Sequence, residues 1–334
     1  MALRRQSWIG LVLISFCLSC TKSEQEDVSV STYLPPLPSH FPAIEHPDDN
    51  APSYARWRLG KALFFENALS KDSSLSCATC HLPEKAFANN EVNSPGAFGR
   101  AGTSNVPSLW NVAYQPHYLR SATVPTLEMQ VLVPIQEENE FAHNIVTLAE
   151  ELATNSTYAR WSEEAYNRDL DPFVITRSIA QFERSLIAGF STYDSFLNGD
   201  QNALSPSQQR GMALFNSDRL SCSSCHSGLM FTSYGLERNG TDTTTTAEGR
   251  YRFTLIPSDY GRFKVPSLRD VEKTAPYFHD GRYDDLEEVI EHYNRGGDPD
   301  APSNEFIRPL NLSEAEKADL LAFLQSLTEP PSIQ

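Results

Sequence analysis

Several things are scarce in this chain, and each scarcity excludes something. Its 334 residues include 27 lysines and arginines against 43 aspartates and glutamates, a formal net charge of −16. Gripping nucleic-acid phosphates takes clustered positive charge, and no Lys/Arg patch occurs, so nucleic acid is excluded as a partner. The acid excess reads as a well-solvated surface, or as a field that steers a basic protein partner. Long apolar runs are missing. The one such run, Trp8 to Leu18, is shorter than the roughly 18 residues a bilayer-spanning helix needs. Runs of strand-like alternation are missing as well, which argues for a mainly helical fold. Cysteines number only six, and two of them lie near the start of the chain.

That start reads as an address. Arg4 and Arg5 precede the apolar run, which ends Cys17-Leu18-Ser19-Cys20 and turns polar at Thr21. The pattern predicts a lipoprotein-type signal peptide over residues 1–20, with Cys20 as the lipidated first residue. A periplasmic protein follows, attached to a membrane only through that lipid. Residues 21–45, rich in Ser, Glu and Pro, read as a tether.

The remaining cysteines form Cys77-Ala78-Thr79-Cys80-His81 and Cys222-Ser223-Ser224-Cys225-His226. Disulfides would suit an exported chain but leave the His after each pair unexplained. One C-x-x-C-H arises by chance about 0.003 times in such a composition, so two are not accidental. Zinc would need further soft ligands at suitable spacing, and none is present. The motif is that of covalent c-type haem attachment: two thioethers hold the macrocycle and the His reaches the iron. Two haem c groups are therefore expected, at Cys77/Cys80/His81 and at Cys222/Cys225/His226.

The chain also repeats itself. Gly60-Lys61-Ala62-Leu63-Phe64 precedes the first motif and Gly211-Met212-Ala213-Leu214-Phe215 the second; Val106-Pro107-Ser108-Leu109 follows the first and Val265-Pro266-Ser267-Leu268 the second. Leu127-Glu128 and Leu286-Glu287 then each lie 21 residues further on. The halves read as two copies of one haem-binding unit, the second enlarged by a low-complexity loop around Thr241–Thr246. Helix starts are explicit. Asp171-Pro172, Ser205-Pro206-Ser207-Gln208 and Ser313-Glu314-Ala315-Glu316 combine an N-cap with a first-turn proline or a capping-box partner.

Duplication allows the two irons to be compared. In the register that aligns Val265 with Val106, Tyr293 falls on Pro134 and His292 on Val133. Neither Pro nor Val can ligate iron, and no His or Met lies between His81 and His117. The first haem is expected to keep an open face for peroxide or oxygen, and the second to be closed by Tyr293 or His292. Chemistry at the first and electron storage at the second is the division this implies.

The sequence resembles the bacterial di-haem cytochrome c peroxidases, including their MauG-like members, from about Leu59 to Leu327. The marks are Leu59-Gly60-Lys61-Ala62-Leu63-Phe64-Phe65, the first haem motif, Val265-Pro266-Ser267-Leu268-Arg269-Asp270-Val271 and Thr274-Ala275-Pro276-Tyr277-Phe278-His279-Asp280-Gly281. The resemblance implies two cytochrome-c-like helical domains: an N-terminal peroxidatic domain over 46–195 and a C-terminal electron-transfer domain over 196–330. It implies one calcium ion between them, ligated by Asn105 and by the carbonyls of Thr274 and Pro276. It places Gln130 and Glu140 over the open iron. Splitting peroxide needs a base that takes a proton from one oxygen and returns it to the other, a role a desolvated Glu140 suits.

Three departures from the family pattern stand out. Tyr293 occupies the place of the usual Met ligand, as in MauG. No reversible distal His is available to the first haem. The tryptophan usual between the haems is replaced by Arg120, with Trp110 nearby. The expected activity is reduction of hydrogen peroxide with electrons from a small cytochrome c or cupredoxin. A MauG-like oxidase acting on a protein substrate and a non-enzymatic electron carrier are the alternatives. The resemblance also brings a homodimer, for which the sequence itself carries no argument. His279 is read as structural, His117 as a surface residue, and Met212 and Met230 as core; His40, His46 and His143 carry no signal.

Overall fold

A computed structural model describes residues 33–102, 104–241 and 248–330. The signal, Cys17, Cys20 and most of the threonine-rich loop lie outside the described residues. The first half carries α1 (Tyr54–Phe64), α2 (Cys77–Cys80), α3 (Leu127–Gln136), α4 (Ile145–Ala153), α5 (Ser156–Tyr166) and α6 (Pro172–Glu183). After a short α7 (Thr192–Leu197), the second carries α8 (Pro206–Phe215), α9 (Cys222–Cys225), α10 (Tyr251–Thr254), α11 (Leu286–Arg295) and α12 (Glu314–Gln325). The only sheet among the described residues pairs β1 (Leu236–Glu237) with β2 (Phe263–Lys264), antiparallel. The fold is mainly helical, with loops wrapped between short helices. None of the described helices is long and apolar enough to cross a membrane.

The helices begin where the sequence caps them. Asp171 accepts a hydrogen bond from the Val174 amide and Pro172 opens the first turn of α6. Reciprocal capping boxes start α8 at Ser205/Gln208 and α12 at Ser313/Glu316. Each satisfies amides that a helix terminus otherwise leaves without partners.

Each half is organised round one close helix crossing. α1 packs along α6, and α8 along α12. A Cβ on Gly60 would lie 1.8 Å from the Ser178 carbonyl oxygen, and one on Gly211 would lie 1.9 Å from that of Asp319. Only glycine lets these backbones touch. Separate apolar cores result. One gathers residues from Leu59 to Ala188, among them Phe64, Leu127, Ile175 and Ile179. The other gathers Phe215, Phe231, Leu286, Leu320 and Phe323.

Local geometry recurs between the halves. Tyr118 N–H donates to the Val124 carbonyl at 2.8 Å, and Tyr277 N–H to that of Tyr283 at 2.7 Å. The Tyr118 hydroxyl reaches the Val112 carbonyl, and the Tyr277 hydroxyl that of Val271. Left-handed residues recur at Asn111 and Asp270 and at Leu119 and Phe278. The capped helices α3 and α11 start in the same register.

One expectation needs correction. The segment read as a tether is packed from Tyr33 onward. Tyr33 lies against Tyr54 and Trp57, and Phe41 is buried with Ile187 and Met230. Phe41 also lies 4.8 Å under the guanidinium of Arg269, which is 2% exposed and pairs with Asp194 through bonds of 2.9 and 3.0 Å. Two aromatics outweigh the polar composition around them, and His40 adds a 2.8 Å contact to Asp194. This small cluster straddles the junction of the halves.

Candidate active site

Both C-x-x-C-H motifs open onto one internal cavity of about 1030 Å³. Its lining includes Cys77, Cys80, His81, Gln130, Glu140 and Asn105 from the first half, and Cys222, Cys225, His226, Thr274, Pro276 and Tyr293 from the second.

Each motif is a single helical turn, α2 or α9, so its cysteines stand three residues apart on one face. None of the four forms a disulfide. Burial pushes their thiols up, Cys222 to about 12, so they are neutral when free. Among the described residues no group of three or more His, Cys, Asp or Glu side chains converges as a metal cage would require. The imidazoles are oriented from behind. Nδ1 of His81 meets the Phe87 carbonyl at 2.7 Å, and Nδ1 of His226 meets those of Phe231 and Pro266 at 3.1 and 3.2 Å. That arrangement leaves Nε2 with its lone pair for iron. Burial holds both imidazoles below their usual range, His81 at about 4, which keeps them neutral. Paired thiols, an oriented neutral imidazole and an adjoining cavity fit a covalently attached haem at each motif.

The two sites differ across the cavity. At the first, α3 presents Gln130, Val133 and Pro134, and the loop after it presents Glu140. The amide oxygen of Gln130 is buried without a hydrogen-bond partner. Gly96 lies so close to the loop that a Cβ there would fall 2.0 Å from the Asn139 carbonyl oxygen, and the Ala97 amide donates to the Glu140 carbonyl at 2.7 Å. These contacts fix the backbone that carries Glu140. Its side chain is exposed toward the cavity, and desolvation by the surrounding wall, then Glu137, raises it to about 7. α3 is itself pinned at Glu128, whose carboxylate pairs with Arg184 at 2.5 and 3.0 Å and accepts from Asn50 at 2.9 Å.

At the second site, Tyr293 lines the cavity, with its phenol raised by burial and hydrogen-bonded by Asn239. His292 does not line it. Its ring is fully buried, with Nδ1 at 3.1 Å from the Tyr283 hydroxyl and Nε2 at 2.9 Å from the Asn239 carbonyl. His279 lies in the cavity wall, stacked 4.2 Å from Phe263. His117 lies outside the lining, exposed.

The calcium expectation requires correction. Asn105, Thr274 and Pro276 do lie in the cavity wall, but the one side-chain ligand is already engaged by a cation. Arg120 donates to the Asn105 side-chain oxygen at 2.8 Å and to its carbonyl at 3.0 and 2.6 Å. A dication beside that guanidinium would be repelled, so this donor set does not fit calcium.

Sequence reasoning missed Glu183. It is buried in the same cavity wall, with one carboxyl oxygen lacking a partner, and burial raises it to about 8. The signal was available: Glu183 continues the i, i+4 stripe of Ile175 and Ile179, where a carboxylate is out of place.

Comparison with known proteins gives the family. The profile described as di-haem cytochrome c peroxidase (CCP_MauG) matches residues 54–202. Methylamine utilization protein MauG of Methylorubrum extorquens is 32% identical over 87% of this chain and 83% of its own length. The chain belongs to the di-haem cytochrome c peroxidase family. Cytochrome c551 peroxidase of Nitrosomonas europaea is 31% identical over 81% of this chain and 79% of its own. A solved MauG-like protein associated with microbial copper homeostasis superimposes with a TM-score of 0.83 at 29% identity, covering 89% of this chain and 96% of the other. Membership implies two c-type haems.

Proposed function

We propose that this family member is a periplasmic enzyme that reduces hydrogen peroxide to water at the His81 site, with electrons received from a small redox protein through the His226 site. The supporting observation is asymmetry across one cavity. Over the first motif stand Gln130, Glu140 and two residues that cannot ligate; over the second stands Tyr293. Bound haem supplies the iron that takes and delivers the electrons. The chain's own residues handle protons. Glu140, as carboxylate, takes a proton from one peroxide oxygen and returns it to the other as the O–O bond breaks; two electrons and two further protons complete two waters. The Gln130 amide is positioned to orient the peroxide. Tyr293 rather than His292 would hold the second iron, because Tyr293 lines the cavity whereas His292 does not and has both ring nitrogens engaged by protein groups. The recurring turns and helix registers support descent of the halves, divided near residue 195, from one duplicated unit.

The second reading, a MauG-like oxidase that withdraws electrons from a protein substrate, is favoured by Tyr293, since a phenolate donor supports higher iron oxidation states than a thioether does. Steady-state peroxide consumption with a reduced cytochrome c or cupredoxin separates the two. Turnover supports the peroxidase. Negligible turnover beside a long-lived oxidised state supports the oxidase.

A further inference from the structure

We infer that the Arg120 guanidinium is the structural cation at the junction of the two halves, doing with a side chain what a bound metal ion would otherwise do. Arg120 sits on the Tyr118–Ala122 turn of the first half. Its Nε and Nη2 converge on the Asn105 carbonyl, and Nη2 also binds the Asn105 side-chain oxygen. Asn105 is held from two other directions. Its side-chain amide donates to the Glu91 carbonyl at 3.1 Å, and its backbone amide donates across the junction to the His279 carbonyl at 3.3 Å. The Arg120 carbonyl in turn accepts from the Lys264 amide, at 2.7 Å, at the end of β2. Arg120 and Asn105 together thus tie the loop before Val106 to two segments of the second half, the guanidinium acting by fixing Asn105, and these residues face the cavity.

The charge balance points the same way. Burial lowers Arg120 to about 10, an effect that Asp280 of the second half opposes, and the Asp280 Oδ1 is buried without a hydrogen-bond partner. Lys264 is the second cation here; burial, then Arg120, lowers it to about 8, and its ammonium reaches the His117 carbonyl at 2.9 Å. A guanidinium and an ammonium already crowd this small region. A calcium ion would add two more positive charges and would have to compete for oxygens that Arg120 holds at hydrogen-bond distance. A planar guanidinium with several donors in a fixed fork suits this role better than a lysine.

The test uses the haem-loaded full chain and needs no turnover assay. Calcium is measured by elemental analysis after gel filtration, and the thermal midpoint and ferric spin-resonance spectrum are recorded with and without excess EDTA. The expected result is well below one calcium per chain, with midpoint and spectrum unmoved by the chelator. Stoichiometric calcium, or an EDTA-induced shift in either readout, overturns the inference. Arg120→Ala should lower the midpoint by several degrees and perturb the ferric signals, with Arg120→Lys recovering only part of the loss. An Arg120→Ala protein as stable as the parent also overturns it. If that variant fails to fold, the wild-type calcium measurement still decides. None of these readouts depends on whether the chain consumes peroxide, so a failure here is separable from a failure of the peroxidase reading.

Discussion

Glu140 carries the most exposed claim about a single residue. Its carboxyl is raised to about 7, so it is mostly protonated at pH 5.5 and mostly ionised at pH 8.5. A base must be ionised, so the rate of peroxide cleavage should rise with pH through about 7. Glu140→Gln should lower that rate by roughly 100-fold or more, the usual worth of a positioned proton-transfer group, and flatten the profile, with both haems still attached. Stopped-flow mixing with peroxide across pH 5.5 to 8.5 checks both, and an unaltered rate sinks the assignment. Tyr293 is tested separately. Tyr293→Met replaces an anionic oxygen donor with a thioether and should raise the second haem's reduction potential by at least ~0.1 V, a modest part of the roughly 0.8 V that axial ligands command. Spectroelectrochemical titration reads this directly, and an unchanged potential would show that Tyr293 is not the ligand.

Among the elements, α3 and the glycine crossings bear the consequences. α3 carries Gln130 over the first site, and the Glu128–Arg184 pair ties it to the end of α6 with both partners almost fully buried. Glu128→Ala strands a buried guanidinium and should cost about 3–5 kcal/mol, measured by chemical denaturation of the loaded protein. Gly60→Ala and Gly211→Ala each push a methyl into a carbonyl oxygen of the facing helix. Each should cost about 3 kcal/mol and lower the thermal midpoint by several degrees. Helix starts were legible from Asp171-Pro172 and Ser205-Pro206 because capping is local chemistry. The two motifs that line the cavity were legible because each is a contiguous pentapeptide. Packing of Tyr33 and Phe41 was not, since two aromatics in a polar stretch give no period, and their partners Trp57, Ile187 and Arg269 lie far away in sequence. The Arg120–Asn105 clamp was hidden for the same reason: Arg120 was visible as a departure, but only folding shows which oxygens it holds.

At the scale of the whole molecule, buried titratable groups set a pH dependence of stability. Burial raises Glu140 and Glu329 to about 7 and Glu183 to about 8, against about 4.5 for a free glutamate. Above pH 4.5 the unfolded chain has released these protons while the folded chain still holds them, so stability falls as pH rises toward 8. Burial lowers His46 and His292, which act in the opposite sense: the unfolded chain takes up protons below about 6.5 that the folded chain refuses, so stability is lost as pH falls. Lysine 264, lowered to about 8, differs from its unfolded form only above that value. The two main sets oppose one another between 4.5 and 6.5, and the carboxyls act alone between 6.5 and 8. The thermal midpoint of the loaded protein should therefore decline across that upper window. Glu183, with the highest value and a carboxyl oxygen lacking any partner, should contribute the largest share of the decline. Glu183→Gln keeps the shape and removes its proton exchange while Glu140 and Glu329 still titrate, so its midpoint should decline about half as steeply from pH 6.5 to 8, as read by calorimetry. A wild-type slope retained in that variant would mean that Glu183 is ionised in the folded protein.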